Sequence, residues 1–409
     1  MKQIPLHCIV VLIGSARAGK TTWAQQTFPL HEIIGADDIR LELTGDSDNT
    51  SLNLQVWNEI ARRAELKISQ GQRAVIDSTN LKIRDRRVFV DLAERYGVDL
   101  VYVPINRSLE SKLEGCPPQA QAMVDKNHHL YLSLEREILS GDQRATVIEP
   151  SLQAVPHPSR EWQPSRLLVV GDVHGNFDAM AQAVELAQRE GLHIVWLGDV
   201  VDYGPSNLRC LKLAYDTVRT GQAAMIWGNH ERKIDRWITS DWGGTYRGRL
   251  SDANQMTINE ITSLNPVRRD RFEAAWLALR SWSWQHVVIG SWMFSHGAAL
   301  PEMWTRTDRR LPGEAGNRAF FGEVDNRIPT KADGYPNRIW DWVNQVPEAH
   351  TVVVGHDWLD RVTNSITVKP GDLGGQVLVV DCGSSKGGRL GAIEVNTQEN
   401  SYTVHYFDG

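Results

Sequence analysis

Short polar motifs end a series of apolar runs in the second half of the chain, and this arrangement restricts the possible folds more than any other feature. The motifs are GDVHGN at 171–176, GDVVD at 198–202, GNHE at 228–231, SHG at 295–297 and VGH at 354–356. The later apolar runs follow one another with little helix between them. The pattern predicts a sandwich of mixed sheets in which the polar residues gather at strand ends.

The carboxylate, amide and imidazole side chains of these motifs predict a two-metal site. Such ligands suit Mn²⁺, Fe or Zn²⁺. One shared carboxylate can hold two ions roughly 3.5–4 Å apart, where they clamp a phosphate and lower the pKa of a bridging water. A single Gly-Asp pair after a strand is often only a turn. All the motifs in this order favour hydrolysis of a phosphate ester without a nucleophilic side chain.

Over roughly residues 166 to 390, the motifs resemble those of the calcineurin-like metallophosphoesterases. The resemblance implies two Mn²⁺ ions, or Fe, Ni or Zn in their place. The implied ligands are Asp172 and His174 for the first ion, the bridging Asp199, and Asn229, His296 and His356 for the second ion. His230 would be the general acid that protonates the leaving alkoxide, and Asp202 is a further catalytic candidate.

Two departures narrow the subgroup. Many phosphodiesterases of the family end in GHxH, whereas His356 is followed by Asp-Trp. This favours the branch of phosphoprotein phosphatases and dinucleoside tetraphosphatases, as does VDCG at 380–383. That branch usually reads GDxVDRG, but Tyr203 replaces the arginine that grips the phosphate. Losing a bidentate contact predicts weak activity on generic monoesters or a substitute, such as Arg232 or Arg389.

A second phosphate-binding motif, GSARAGKT at 14–21, lies between an apolar run and a predicted helix. In this context the backbone amides curl around phosphate oxygens, Lys20 spans the β and γ phosphates, and Thr21 ligates Mg²⁺. The expected cofactor is ATP or another nucleoside triphosphate. The candidate binding residues are Gly14, Ser15, Ala16, Arg17, Ala18, Gly19, Lys20, Thr21 and Thr22.

The run Asp37-Asp38-Ile39-Arg40 follows the next apolar run and offers groups for a phosphate acceptor. A carboxylate at Asp37 can accept a hydroxyl proton, and Arg40 can hold an acceptor phosphate. The same Asp-Asp pair is also a good helix N-cap. With DSTN at 77–80, the motifs resemble the 5′-hydroxyl polynucleotide kinases over most of residues 8 to 110. The resemblance implies that Asp37 is the general base, that Arg40 clamps the terminal nucleotide, and that Lys20 is catalytic.

These kinases close over the triphosphate with a lid that carries arginines, but the segment at 109–130 contains no arginine. Either Arg107 or Arg136 reaches the triphosphate, or the γ-phosphate is handled differently. The arginines at 84, 86 and 87 form either a basic patch for a nucleic-acid backbone or a solvated helix face.

The net charge of −6 gives no general attraction to nucleic acid, so any such binding requires local basic patches. The four cysteines are far apart, which predicts reduced thiols rather than disulfides or a zinc site. The first eighteen residues imitate a secretory signal, but cleavage after Ala18 would cut the phosphate-binding loop. We expect a cytoplasmic protein without a membrane span.

Four prolines and no periodicity between 147 and 166 predict a linker. The sequence therefore predicts an α/β chain of two domains. Residues 1–150 form a P-loop kinase domain with a parallel sheet flanked by helices, 151–165 a linker, and 166–409 a calcineurin-like α/β sandwich.

The combination of the two halves resembles the bacterial end-healing enzymes that prepare RNA breaks for a ligase. It implies RNA partners with 5′-OH and 3′-phosphate or 2′,3′-cyclic phosphate ends, and a separate RNA ligase. DNA ends, the natural break and the oligomeric state, a homodimer included, stay open. One alternative is a small-molecule or toxin-like kinase paired with a nucleotide phosphatase. Another is a protein phosphatase gated by nucleotide binding.

Overall fold

The chain forms two compact α/β units in a computed structural model. The structure describes residues 3–140, 145–156, 162–240, 242–306, 309–325 and 336–409. The first unit comprises residues 1–157 and 265–278, and the second comprises residues 158–264 and 279–409. The division after residue 157 lies within the segment predicted as a linker. The helix segment at 265–278, which the sequence placed in the second domain, belongs to the first unit.

Among its described residues, the first unit contains five strands. They are β1 (Cys8–Ile13), β2 (Ile33–Gly35), β3 (Ala74–Asp77), β4 (Asp99–Pro104) and β5 (Ala145–Val147). Its helices up to residue 140 are α1 (Lys20–Thr27), α2 (Ala36–Thr44), α3 (Asn53–Ser69), α4 (Ile83–Tyr96), α5 (Leu109–Leu113) and α6 (Pro118–Ser140). The sheet has the order β2-β3-β1-β4-β5, and all neighbouring strands are parallel.

Strand β1 lies at the centre of this sheet because its sequence, CIVVLI, is apolar on both faces. Ile9, Val11 and Ile13 belong to one buried cluster, whereas Val10 and Leu12 belong to another. A continuous apolar run is typical of a parallel strand that is covered on both faces. The run therefore fixes the position of the phosphate-binding loop that follows it.

The second unit begins with an alternating series of strands and helices. They are β6 (Arg166–Val170), α7 (Phe177–Glu190), β7 (His193–Trp196), α8 (Asn207–Arg219), β8 (Ala223–Met225), α9 (Asn229–Thr239), α10 (Asp252–Thr262) and α11 (Pro266–Trp282), whose first part is counted in the first unit. The series continues with β9 (His286–Ile289), β10 (Trp292–Ser295), α12 (Gly313–Phe321), β11 (Glu323–Val324), β12 (Arg338–Ile339), β13 (Thr351–Val354), β14 (Thr367–Pro370), β15 (Gln376–Val379), β16 (Leu390–Asn396) and β17 (Ser401–Phe407).

Two five-stranded sheets form the body of the second unit. Their orders are β17-β16-β6-β7-β8 and β14-β15-β13-β10-β9, and each sheet contains both parallel and antiparallel pairs. One buried cluster joins them, with Val169 from the first sheet and Phe294 and Val353 from the second. The predicted sandwich of mixed sheets, and with it the predicted α/β fold class, is confirmed.

Within each sheet, parallel neighbours carry the polar motifs at the same edge. β6 is parallel to β7, and β7 to β8; in the other sheet, β10 is parallel to β13, and β13 to β15. The GDVHGN, GDVVD and GNHE motifs follow the first three of these strands, and His296 and His356 follow β10 and β13. The carboxyl ends of these strands therefore bring the motifs together, since parallel strands end on the same side.

Part of the proline-rich segment is built into the first unit. Ile4 donates its amide to the carbonyl of Gln153 at 2.9 Å, and Val155 donates its amide to the carbonyl of Ile4 at 2.8 Å. The buried guanidinium of Arg73 donates to the carbonyl of Val155 at 2.9 Å and forms an ion pair with Glu32 at 3.0 Å. The first unit thus extends beyond residue 150.

Burial and contacts describe three further features. All four cysteines lie within the described residues, are buried and form no disulfide. Arg86 is buried, donates to the carbonyls of Asn80 and Leu81, and so supports the fold, which leaves Arg84 and Arg87 as the exposed pair. Among the described helices, none has the length and apolar character needed to cross a bilayer.

The Arg73–Glu32 ion pair gives a test of how the first unit is stabilised. Both side chains are only 1% exposed. Glu32→Ala leaves the guanidinium buried without its carboxylate, so we expect a loss of about 3–5 kcal/mol in the unfolding free energy of this unit. Hydrogen exchange of peptides from β1 and β3 measures that loss within the full chain.

The matched control is Glu42→Ala, because Glu42 pairs with Arg63 at a site where its own side chain is 52% exposed. Exposed pairs contribute only about 0–1 kcal/mol. Equal losses in the two variants would show that the buried pair has no special importance.

Candidate active sites

The phosphate-binding loop of the first unit is held tightly at its first and last glycines. A β-carbon at Gly14 would lie 2.2 Å from the carbonyl oxygen of Ile105, so only glycine fits there. Gly19 has a φ of 96°, in the left-handed region that favours glycine. Helix α1 begins at the next residue, Lys20, whose ammonium donates to the carbonyl of Ser15 at 3.0 Å. The loop therefore has the curl and the helix N-terminus that bind phosphate.

Thr21 lies against a carboxylate that sequence reasoning did not assign. Its hydroxyl donates to Asp77 at 2.6 Å, and Asp77 is the last residue of β3. Burial raises the pKa of Asp77, and the hydrogen bond from Thr21 and the charge of Lys20 oppose this shift. Hydroxyl and carboxylate oxygens are the ligands that Mg²⁺ prefers. Thr21 and Asp77 are thus suited to hold the ion, and DSTN was the signal that could have identified Asp77.

Two opposing effects act on the pKa of the buried Lys20 side chain. Burial lowers its pKa, and the carboxylates of Asp77 and Asp37 raise it. The net effect is a pKa below the usual lysine value, and an anionic phosphate beside the ammonium would favour its charged form.

The sequence left open whether Arg107 or Arg136 reaches the triphosphate, and Arg107 is the one that lies at the phosphate-binding loop. A β-carbon at Gly19 would lie 2.6 Å from the guanidinium of Arg107, which therefore sits over the phosphate-binding loop. Arg136 is exposed on α6. The lid segment is also tied to the loop, since Arg17 donates to the carbonyls of Lys112 at 2.7 Å and Glu114 at 2.8 Å. Arg107 thus supplies a cation where the lid lacks arginine.

Lys112 has a structural position in the same segment. Its ammonium donates to Asn106 at 2.5 Å and contacts Nδ1 of His128 at 2.8 Å. Burial, with a contribution from the charge of Lys20, lowers the pKa of Lys112 to about 8. The side chain is buried, so Arg107 rather than Lys112 is placed to meet a triphosphate.

Asp37 and Arg40 lie one helical turn apart at the start of α2 and form an ion pair with each other. The N-cap of this helix is Gly35, so Asp37 does not act as the cap. The Asp37 side chain is 79% exposed and the Arg40 side chain 20%. An open carboxylate beside a partly covered guanidinium is accessible to an acceptor that brings both a hydroxyl and a phosphate.

In the second unit, two groups of potential metal ligands share one carboxylate. Within each group the ligand atoms lie within 4.8 Å of one another, and the members are His174, Asp199 and His230 in one group and Asp199, His296 and His356 in the other. Asp199 is 2% exposed. The arrangement of a common carboxylate between two histidine groups suits a pair of divalent ions.

Backbone carbonyls orient the imidazoles of this site. Nδ1 of His174 contacts the carbonyl of Val201 at 3.0 Å, and Nδ1 of His296 contacts that of Leu197 at 2.8 Å. A carbonyl accepts only from a protonated nitrogen, so each ring carries its Nδ1 proton and presents Nε2 to the site. Such contacts commonly fix the tautomer of metal-binding histidines. The Nε2 of His296 also meets Oδ1 of Asn229 at 2.9 Å, which brings two predicted ligands together.

Two buried carboxylate oxygens lack a hydrogen-bond partner among the described residues. Asp172 accepts the amide of His356 at 2.9 Å through Oδ1, but its Oδ2 is unpaired, as is Oδ2 of Asp381. Burial, with the charge of Asp381 next in importance, raises the pKa of Asp172. Unpaired buried carboxylate oxygens are costly. The donor set therefore fits a divalent cation. Asp381, which lies within the VDCG motif, is an additional candidate ligand that the sequence did not identify.

The buried carboxylates and imidazoles of this site shift one another's pKa values. Burial opposes ionisation of Asp199, but His296 and His230 hold its pKa well below the usual value. Burial likewise opposes the charged form of His296, yet Asp199 and Asp172 raise its pKa to about 10. Because a metal ligand must be a neutral imidazole, binding of a cation here releases protons.

His230 and Asp202 form a hydrogen-bonded pair. Nδ1 of His230 lies 2.5 Å from Oδ2 of Asp202, whose other oxygen accepts the hydroxyl of Thr257 at 2.5 Å. Asn254 also donates to Asp202, and the amide of His230 donates to Asp199 at 2.9 Å. Thr257 and Asn254 come from α10 and were not identified from the sequence. Asp202 therefore orients His230 in a manner suited to proton transfer.

Glu231 connects the loops that carry the ligands. Its carboxylate accepts the amides of Asp199 at 2.9 Å, Val200 at 2.7 Å and Gly228 at 3.0 Å. Burial, followed by the charge of Asp199, raises the pKa of Glu231 to about 7. The GNHE motif contained this residue, but its role became visible only from these contacts.

Several site residues have left-handed backbone conformations. The φ values are 49° for His174, 49° for Asp199, 75° for Asp202 and 67° for His356. Such conformations are unfavourable for residues other than glycine and concentrate at functional sites. The surrounding structure thus holds the ligands in position at a cost in stability.

The two arginines proposed as substitutes have other contacts. Arg232 stacks over the rings of Phe320 and Phe321, at 4.8 and 5.2 Å. Arg389 lies 3.8 Å from the ring of Tyr406 and donates to the carbonyls of Thr363 and Asn364.

A different arginine reaches the predicted second metal position. Nε of Arg338 donates to Asp357 at 2.9 Å, Nη1 donates to the carbonyl of Phe321, and Nη2 lies 2.6 Å from Nε2 of His356. It lies on β12, far along the chain from the motifs, and sequence reasoning did not identify it.

Comparison with known families agrees with this architecture. Residues 165–360 match the family described as calcineurin-like phosphoesterase, and residues 9–114 match a family described as AAA domain. The chain thus combines a kinase-like P-loop domain with a calcineurin-like metallophosphoesterase domain. The phosphoesterase family uses divalent metal ions, in agreement with the ligand groups around Asp199.

Named relatives resemble the second half. A bis(5′-nucleosyl)-tetraphosphatase (asymmetrical) from Oceanobacillus iheyensis is 22% identical over 200 residues, which are 46% of this chain and 75% of the relative. The one from Geobacillus thermodenitrificans is 22% identical over 237 residues, 55% of this chain and 88% of the relative.

Solved structures similar to the chain include a metallophosphoesterase from Sphaerobacter thermophilus and a protein serine/threonine phosphatase from Saccharomyces cerevisiae. The first is 17% identical with a TM-score of 0.35, and covers 59% of this chain and 88% of its own. The second is 13% identical with a TM-score of 0.38, and covers 63% of this chain and 91% of its own.

The His230–Asp202 pair predicts a large effect of Asp202→Asn on phosphate ester hydrolysis. The amide cannot stabilise a protonated imidazole as a carboxylate does, so we expect kcat to fall by about 10²–10⁴. The measurement is hydrolysis of p-nitrophenyl phosphate at saturating Mn²⁺, together with the bound metal content.

Asp216→Asn, on the surface of α8, is the matched control and should leave kcat unchanged. A normal kcat in Asp202→Asn would contradict the role of the pair. A loss of bound metal in the Asp202→Asn variant would instead show that Asp202 helps to hold the metal ligands in position.

Proposed function

We propose that the chain is a bifunctional end-healing enzyme. Its first unit phosphorylates 5′-OH ends with ATP, and its second removes 3′-phosphate or 2′,3′-cyclic phosphate from RNA ends. The observation that carries the proposal is the presence in one chain of a phosphate-binding loop with an open carboxylate–guanidinium pair and a shared-carboxylate metal site. A broken RNA requires both reactions before a ligase can join it.

The acceptor groups of the first unit support a polynucleotide. Asp37 can accept the proton of a 5′-hydroxyl, and its negative charge opposes the lowering of the Lys20 pKa by burial. Arg40 lies beside it and can bind the phosphate that links the first two nucleotides. Because Asp37 is open to solvent, an extended strand has access to it. With a net charge of −6, such binding depends on these local groups.

Phosphoryl transfer then requires positioning and charge stabilisation more than covalent chemistry by the protein. The loop amides and Lys20 hold the triphosphate, and Arg107 covers the loop at Gly19. Mg²⁺ held by Thr21 and Asp77 would neutralise phosphate charge. Proton transfer to Asp37 leaves the 5′-oxygen free to attack the γ-phosphorus, and ADP departs.

In the second unit, two divalent ions held around Asp199 would neutralise the phosphate and activate water for attack. The chain supplies the acid. His230 has Nδ1 bound to Asp202, and its Nε2 lies 3.8 Å from Oδ2 of Asp199, so that it faces the site. It can donate a proton to the leaving ribose oxygen, while Asp202 stabilises the charged ring. From a 3′-phosphate, one water gives a ribose hydroxyl and inorganic phosphate. A 2′,3′-cyclic phosphate takes two waters, the first of which opens the ring to a phosphomonoester that the second hydrolyses.

A second candidate function follows from the relatives. They are named asymmetrical bis(5′-nucleosyl)-tetraphosphatases, and their similarity falls on the phosphatase half. The phosphatase half would then cleave a dinucleoside polyphosphate, and the P-loop half would phosphorylate a small nucleoside or sugar nucleotide.

The proposal is tested by incubating the full chain with γ-labelled ATP and Mg²⁺ and a 5′-OH oligoribonucleotide. We expect label on the 5′ end, and in the presence of Mn²⁺ we expect phosphate release from 3′-phosphate and 2′,3′-cyclic phosphate ends. Diadenosine tetraphosphate is offered in parallel. Label transfer only to a nucleoside, with rapid cleavage of the tetraphosphate and none of the RNA ends, would replace the proposal with the second candidate.

The two sites should be separable by mutation. Lys20→Ala or Asp37→Ala removes the phosphate contact or the base, so we expect kinase activity to fall by at least about 10² while phosphatase activity stays normal. Asp172→Ala or His230→Ala should have the reverse effect. Each variant is assayed for both reactions, and loss of both activities in one variant would refute independent sites.

We further propose that a separate RNA ligase joins the healed ends and that the enzyme acts in the cytoplasm. A ligase requires a 5′-phosphate and a free 3′-hydroxyl, which are the two products of the proposed reactions. The proposed ligase is tested by adding one to the healed strands and measuring ligation with and without this enzyme.

A further inference from the structure

Tyr203 lies at the entrance of the metal site. It follows Asp202 in the turn after GDVVD and is 40% exposed. Its ring centroid lies 4.8 Å from that of His174 and 5.6 Å from that of His230. An exposed ring that touches both histidines borders the space that a substrate phosphate must enter.

A cation from a distant loop meets this ring. The ammonium of Lys386 lies 4.2 Å from the centroid of Tyr203 and 2.9 Å from Nε2 of His174. A lysine over a tyrosine face is held by the ring quadrupole. The positive charge of Lys386 is therefore at the mouth of the site, beside the predicted ligands of the first ion.

Backbone hydrogen bonds hold the loop that carries Lys386. The amide of Lys386 donates to the carbonyl of Gly383 at 2.9 Å, and the amide of Gly388 donates to the same carbonyl at 3.0 Å. The loop packs against the turn that contains Tyr203, since a β-carbon at Gly204 would lie 2.7 Å from Oγ of Ser385. The backbone of this loop thus positions Lys386 beside the ring of Tyr203.

The negative charges around the metal site favour a nearby cation such as Lys386. Asp172, Asp199 and Asp381 are buried carboxylates; burial raises the pKa of Asp381, and the positive charge of Lys386 opposes that shift. A phosphate adds further negative charge. Arg232 and Arg389 are stacked on aromatic rings, as described above. Arg338 contacts His356, a predicted ligand of the second ion, and Lys386 contacts His174, a predicted ligand of the first.

We propose that Lys386 binds a non-bridging oxygen of the substrate phosphate and that Tyr203 positions its ammonium. Lys386 thereby replaces the arginine expected at position 203. This inference rests on the proposed phosphatase function and concerns phosphate monoesters and cyclic phosphates. A lysine offers a point charge in place of a two-pronged contact, so the phosphate is neutralised but less firmly oriented.

The contact with His174 raises one competing interpretation. Nε2 of His174 is also the predicted ligand atom for the first ion, so Lys386 could serve only as a surrogate cation in the metal-free protein. The two interpretations predict different results for phosphate affinity, which is measured without turnover.

The decisive variant is Lys386→Met, in the full chain loaded with Mn²⁺. We expect its affinity for inorganic phosphate, measured by calorimetry, to fall about tenfold to a hundredfold. We expect kcat/KM for p-nitrophenyl phosphate to fall similarly, with Mn²⁺ affinity equal or higher. Lys212→Met, on the exposed face of α8, is the matched control and should change neither quantity.

A second variant separates loss of charge from damage to the loop. Adding Tyr203→Arg to Lys386→Met places an arginine at the ring's position and should restore phosphate affinity. Normal phosphate affinity in Lys386→Met with tighter Mn²⁺ binding would overturn the proposal in favour of a surrogate cation. Lost affinity that the arginine fails to restore would also overturn it.

These outcomes are distinguishable from a failure of the proposed function. Phosphate binding that depends on Lys386, combined with no release of phosphate from RNA ends, would refute the end-healing substrate and leave the binding residue in place.

Discussion

The geometry of the phosphatase site depends on a buried carboxylate that binds backbone instead of an ion. Glu231 accepts amides from Gly228, Asp199 and Val200, and these residues belong to the loops after β7 and β8. A buried carboxylate is tolerated only when it is hydrogen-bonded. Because both loops bind Glu231, they hold Asp199, the carboxylate that both ligand groups share, at a set distance from Asn229. The other ligands can then be oriented by carbonyls and by loops from the facing sheet.

The two units solve the same problem of phosphate binding with opposite charge distributions. In the first, Lys20, Arg107 and the start of α1 provide positive potential around a loop, so an anion can bind directly. In the second, carboxylates are concentrated in a buried space, and cations must neutralise them before a phosphate is accepted. Under the proposed functions, the first unit would bind a polyphosphate and the second divalent ions, and this difference would keep the two phosphate chemistries apart.

Much of the fold and most of the candidate ligands could be predicted because each motif directly follows a strand. When neighbouring strands are parallel, the residues after them must meet, so the ligands around Asp199 followed from order alone. Residues that reach the site from elsewhere could not be predicted in this way. Lys386 and Arg338 arrive on segments whose position is set by tertiary packing, and Thr257 supports Asp202 from a helix without a motif.

The same limit applies in the first unit. The sequence could not decide between Arg107 and Arg136, because the choice depends on where the chain runs after β4. Burial of Arg86 was equally hidden, since its partners are backbone carbonyls that carry no sequence signal. The proline-rich segment after residue 147 has the composition of a linker, yet Val155 is held by the guanidinium of Arg73.

That guanidinium also has a consequence for synthesis of the protein. Arg73 donates to the carbonyls of Ile4, Pro5 and Val155, so it joins the first residues of the unit to residues emerging about 150 positions later. During translation, the contact between Arg73 and Val155 can form only after residue 155 has been made. Residues 265–278 of the same unit follow the GDVHGN, GDVVD and GNHE motifs along the chain, so the first unit can be completed only after those motifs of the second unit have been synthesised.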